Sequence, residues 1–237
     1  MKLKTPIFFL LISFSWLFSS EVAAQENRQE PLQDSLKYRE KYGLRVGIDI
    51  SKPIRSMFDE DYRGLEVKGD YRIYKNYYLA AELGNEKDRI IEENVTASAN
   101  GSYIKLGADY NVYENWRGMQ NLIYVGLRYA FSSFTSELES YSIYTRDPYF
   151  ERDTRIETQE YSNLTANWLE FQLGIKVEVL NNLYLGTHVE LKRRLGQSTP
   201  GNFDNLYIPG FHRTYDGSSI GVGYGYSISY LIPLYKL

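Results

Sequence analysis

From Tyr42 onward the chain alternates apolar and polar residues with a period of two, and it does so in eight separate runs. In the first run Tyr42, Leu44, Val46, Ile48 and Ile50 alternate with Gly43, Arg45, Gly47, Asp49 and Ser51. Successive side chains of a strand point to opposite faces, so this pattern is a strand with one apolar and one polar face. The later runs are centred on Leu65–Ile73, Tyr77–Leu83, Ile104–Tyr110, Ile123–Phe131, Leu169–Val179, Leu183–Leu191 and Ile220–Ile232. Strands of about ten residues suit a tilted crossing of a bilayer, and single-chain outer-membrane barrels use an even number of them. The expected fold is all-β: an eight-stranded antiparallel up-and-down transmembrane β-barrel.

The connections alternate in length. Tyr74–Asn76, Glu114–Asn121 and Leu180–Asn182 are short or moderate, whereas Lys52–Arg63, Asn85–Gly101, Ser133–Asn167 and Arg193–Ser218 are long. Short periplasmic turns opposite long extracellular loops are the layout of such barrels. Alternation alone does not say which face is inside, because a soluble lipocalin-like barrel inverts the arrangement. The glycines discriminate: Gly43, Gly47, Gly84, Gly107, Gly126, Gly174, Gly186, Gly221, Gly223 and Gly225 fall on the polar face, and only Gly69 falls on the apolar one. Glycine weakens a solvated strand but relieves crowding in a narrow lumen. Tyr42, Tyr77, Tyr110, Tyr113, Trp116, Tyr230 and Tyr235 lie near the short-turn ends, where an interfacial aromatic girdle belongs.

With the polar face inward, the interior holds the acids Asp49, Glu66, Asp70, Glu82, Asp109, Glu170, Glu178 and Glu190 and the bases Arg45, Lys68, Arg72, Lys105, Arg128, Lys176 and Lys192. Buried charges persist only when paired, so an interlocking ion-pair network that closes the lumen is expected.

Ahead of the barrel, Lys2 and Lys4 precede an apolar stretch from Ile7 to Phe18, and Val22-Ala23-Ala24 offers small residues for cleavage. This reads as a signal peptide over 1–24, followed by a polar periplasmic lead-in over 25–41 and the barrel over 42–237. Lys+Arg total 27 against 30 Asp+Glu, a balance unlike that of a dedicated nucleic-acid binder. The absence of Cys excludes disulfides and thiol chemistry, and two His exclude a His-rich metal site. No cofactor or metal is expected.

Few residues point to chemistry. His188 shares the polar face with Glu190 and Glu170 and is a weak candidate for a general base, but it has no clear Ser partner. A hydrogen-bonded interior His is the plainer reading. Asp59-Glu60-Asp61 could attract a divalent cation, yet no further ligands are spaced around it. The glycines of Gly221–Gly225 lie inside a period-two strand, the wrong context for a phosphate-binding loop. In the longest loop Tyr144, Arg146, Tyr149 and Phe150 form a candidate recognition surface.

Three blocks carry a resemblance: Lys37–Asp49, Tyr78–Gly84 and Asn202–Phe211. They resemble a family of uncharacterised outer-membrane β-barrel proteins of Gram-negative bacteria. That resemblance implies an outer-membrane location and no established activity. The function expected is a structural or surface-recognition role, with a lipid-modifying enzyme or a narrow solute pore as alternatives. The partners expected are outer-membrane lipid and lipopolysaccharide, the barrel-assembly machinery during insertion and an unidentified extracellular ligand, with no nucleic acid.

Overall fold

Asn182 holds φ at 65° and Lys75 at 39°, and around these left-handed residues the two tightest hairpins close. A computed structural model describes residues 41–115, 120–143, 154–156, 158–201, 203–215 and 217–236. The expected signal peptide and nearly all of the lead-in lie outside these residues, as do Trp116 and the Tyr144–Phe150 segment.

The strands are β1 (Lys41–Asp49), β2 (Tyr62–Tyr74), β3 (Tyr77–Ile91), β4 (Val95–Asn111), β5 (Leu122–Ser142), β6 (Thr154–Arg155), β7 (Gln159–Leu180), β8 (Leu183–Gln197), β9 (Tyr207–Ile208), β10 (His212–Arg213) and β11 (Ile220–Lys236). One helix, α1 (Ser51–Phe58), follows β1. Each long strand pairs antiparallel with its sequence neighbour, and β11 returns to β1. The result is a closed eight-stranded antiparallel barrel with no free edge around its lower wall.

The apolar face points out. Leu44, Leu127, Phe171 and Tyr230 are exposed, whereas Arg45 is 3% and Glu170 0% accessible. Exposed Leu, Ile, Val, Phe and Tyr form a belt on all eight long strands. On β5 the belt runs from Ile123 to Phe131, about 27 Å along the strand and about 21 Å along the axis at a ~40° tilt. No helix among the described residues is long and apolar enough to cross a membrane.

Glycine permits close packing inside this wall. A Cβ on Gly174 would lie 2.5 Å from the Tyr124 ring, and one on Gly84 would collide with the Tyr103 ring. Outward-facing Gly69 has no such neighbour nearer than 3.8 Å.

Two expectations need correction. Tyr42 is not part of an outer girdle: it is 7% accessible and packs against the Arg72 guanidinium, 4.5 Å from the ring centroid. A register shift at Tyr42/Gly43 breaks the alternation there, and such a bulge re-aims side chains. The segment Asn85–Gly101 is not a loop but the top of the β3–β4 hairpin, and β5 and β7 extend similarly. Above the belt on β3 the outward residues become Asn85, Lys87 and Arg89 against inward Glu86 and Asp88, so polarity no longer alternates there and the period-two signal fades.

Candidate functional site

Strand register builds the interior. It sets Arg45 opposite Asp70, Lys68 opposite Glu82, Glu82 opposite Lys105, Arg128 opposite Glu170 and Glu170 opposite Lys192. Opposite charges facing across paired strands attract, and the narrow lumen adds contacts from distant strands. Lys105 Nζ lies 3.1 Å from Glu170, 3.3 Å from Glu190, 3.4 Å from Glu82 and 3.8 Å from Glu66. Arg128 binds Asp109 at 2.7 Å and Glu82 at 3.3 Å, and Lys176 binds Asp70 at 2.7 Å. Arg45 reaches the same Asp70 at 3.2 Å. Lys68 lies 2.9 Å from Glu66 and 3.3 Å from Asp49, and Lys192 lies 2.9 Å from Glu190. Glu178, nearer the short turns, pairs with Lys41 at 3.6 Å. Arg72 donates to the Lys75 carbonyl at that end.

Glu82, Glu170 and Glu190 bring oxygens within 4.8 Å of one another, a spacing that a cation could bridge. The Lys105 ammonium already supplies the counter-charge there. His188 is 4% accessible, and its Nε2 lies 2.9 Å from Lys68 Nζ and 3.1 Å from Glu190 Oε1. The cavity beside it measures about 20 Å³, room for one water. His188 is thus a member of the network rather than a group facing open space.

The network is only the middle layer. Below it Tyr78, Leu122, Tyr124, Tyr184 and Leu231 form an apolar floor, with the Arg45 guanidinium 4.3 Å from the Tyr184 ring centroid. Above it Tyr103, Ala130, Phe134, Leu164 and Trp168 point inward and meet Tyr207, Ile208 and Phe211. The last three belong to the β9–β10 hairpin, which folds back into the barrel mouth; Phe211 meets Trp168 edge-on at 5.7 Å. Gly210, at φ 83°, makes the turn, and the Tyr103 ring leaves no room for a Cβ there. Its N–H donates to Glu86 Oε2 at 2.8 Å, as does the Tyr207 hydroxyl, and its carbonyl accepts from Lys192 at 2.8 Å.

Glu86 and Lys52 escape the sequence reading. Glu86 is fully buried and also engages Lys52 and Tyr62. Its parity with Glu82 on β3 is the signal that marks it as inward. Lys52 lies on α1, which no alternation announces; Pro53 is tolerated in its first turn because the missing N–H is unneeded there. Burial works against the Lys52 ammonium, but Glu86 and Glu66 outweigh it and raise its pKa.

At the long-loop end a polar cleft of about 450 Å³ opens among Arg55, Asp59, Asp61, Asp88, Arg89, Tyr207, His212 and Arg213. Asp59 and Asp61 are matched by Arg55 at 3.1 Å and Arg89 at 3.5 Å, so the acidic tip is counter-charged by arginine. Burial pushes the Asp88 carboxyl up to about 6 despite Arg55 at 3.0 Å. Burial, with Lys192 nearby, lowers the His212 pKa. The residues Tyr144, Arg146, Tyr149 and Phe150 lie outside the described structure.

The barrel is similar to Ail, the attachment invasion locus protein of Yersinia pestis, with 8% identity over 81% of this chain and 97% of that chain and a TM-score of 0.39. No curated protein matches the chain. Residues 6–237 match the model of a family described as a domain of unknown function (DUF6048), and the chain belongs to that family.

Proposed function

We propose that this protein is a small outer-membrane barrel of Gram-negative bacteria with a surface-recognition role, its lumen closed by charged and aromatic side chains. One observation carries the reading: an apolar belt faces outward on every long strand while fifteen sequence-selected charges face inward. In water that arrangement is unfavourable on both counts, since it exposes large apolar side chains and buries ions. In a bilayer the belt matches hydrocarbon, and its height of about 21 Å is close to the ~25 Å band of such barrels.

Recognition is favoured over transport by the two ends of the barrel. The long-loop end carries strand extensions, α1, the inward hairpin and the polar cleft, whereas the other end carries tight turns. A solute pore gains no support from an interior packed in three layers, and acyl chemistry gains none from His188 held in an ion-pair network. Export through a cleaved signal peptide, insertion by the barrel-assembly machinery and contact with lipopolysaccharide belong to the same reading.

Cell fractionation with protease shaving of intact cells tests it. The protein should enter the outer-membrane fraction, shift its electrophoretic mobility on boiling, and be cut in the long loops alone. A soluble protein with no mobility shift would overturn the proposal.

A further inference from the structure

The barrel wall has a notch at its long-loop end. Strand β1 stops at Asp49, opposite Ser227, whereas β11 continues to Ile220 and β2 reaches Tyr62 beyond its last β1 partner at Val67. Among the described residues, no strand lies between these two upper segments. Helix α1 packs chiefly on β2 and touches β11, so it covers the gap only in part. It turns Lys52 inward and leaves Ile54, Met57 and Phe58 exposed, the last two at 80% and 85%.

A crevice of about 310 Å³ occupies the notch. Its lining crosses the wall: Val222 and Tyr224 belong to the outer apolar belt, while Lys52, Tyr62 and His212 belong to the inner, polar side. Arg55 and His212 line both this crevice and the 450 Å³ cleft above it. An apolar lateral entrance and a polar upper chamber therefore adjoin. The chamber presents Arg55, Arg89 and Arg213 beside Asp59, Asp61 and Asp88. Arginine forks match phosphate oxygens, and carboxylates accept from sugar hydroxyls. The arginines are 40–51% exposed, and the pairs Arg55–Asp59 and Arg89–Asp61, exposed on both sides, yield readily to a better partner.

We infer that the notch and cleft together hold one phosphorylated glycolipid of the surrounding membrane, with an acyl chain against Val222 and Tyr224 and the phosphosugar head between Arg55 and Arg89. The inference rests on the membrane reading and adds a ligand class and a seat to it.

Native mass spectrometry of the full chain in detergent tests it, with lipid A, dephosphorylated lipid A and glucosamine 1-phosphate as probes. Lipid A should be retained one to one. Removing its phosphates, removing its chains, or introducing Arg55→Gln with Arg89→Gln should each weaken retention by about tenfold or more. Tyr224→Ser should weaken the acylated probe alone, and Leu106→Ser, on the distant β4 wall, should change nothing. Equal retention of all three probes, or of all variants, would overturn the proposal. Tight binding of glucosamine 1-phosphate alone would replace the lipid with a soluble phosphosugar. A boiling-dependent mobility shift without lipid retention defeats this inference and spares the membrane reading; the absence of both defeats the two together.

Discussion

Lys105→Met removes the ammonium at the centre of the interior network and keeps most of its bulk. Four carboxylates lose a partner, but three keep another cation close by: Glu66 has Lys68 at 2.9 Å, Glu82 has Arg128 at 3.3 Å and Glu190 has Lys192 at 2.9 Å. Among the described residues Glu170 keeps one cation, Lys192 at 4.0 Å, with neutral donors from Trp168 at 3.2 Å and Gln172 at 2.7 Å. The loss is therefore close to that of one orphaned buried carboxylate, about 3–5 kcal/mol, and not a multiple of it. Adding Glu170→Gln neutralises that carboxylate, so the double variant should recover about 1–3 kcal/mol. Urea unfolding in lipid vesicles, followed by fluorescence of Trp168 beside Glu170, measures both. A single variant within about 1 kcal/mol of wild type, or a double variant no better than the single, would refute the reasoning.

Other substitutions probe the remaining layers. Leu127→Arg, in the middle of the belt, should destabilise the barrel in vesicles by about 2–4 kcal/mol if hydrocarbon surrounds it; no change in urea unfolding would argue for water there. Gly84→Ala drives a methyl into the Tyr103 ring and should cost about 1–3 kcal/mol, while Gly69→Ala, facing open space, should cost nothing; equal effects in the same assay would contradict the inward packing. Asp88 faces Arg55 and Asp59 across the cleft and Glu86 on its own strand. Its folded pKa of about 6 exceeds its unfolded value, so its contribution is fully present below about 4 and lost as pH rises through 6. Relative to Asp88→Asn, wild type should lose stability across that window, and parallel pH profiles would rule this out.

Alternation along the chain determined the strands and their number, because the two faces of each strand differ in polarity at every step, and the glycines on the polar face pointed that face inward. The same parity selected Arg45, Lys105, Arg128 and Glu170 as inward charges. It did not say which would meet, since Lys105 sits 65 residues from Glu170 and 85 from Glu190. Ring closure decides those partners by bringing opposite walls within a side chain's reach. The strand extensions stayed hidden because their outward residues turn polar while their buried inward ones are mixed, from Glu86 and Asp88 to Phe134 and Leu138, so the two faces lose the contrast that alternation needs. The inward hairpin was visible only as a run from Asn202 to Phe211 that carries part of the family resemblance and holds a Pro-Gly pair, and its burial depends on the space left by Tyr103 and Trp168. The notch was invisible for a related reason. It arises where β1 ends early against two longer neighbours, and a shortfall of that kind exists only once the strands are set side by side.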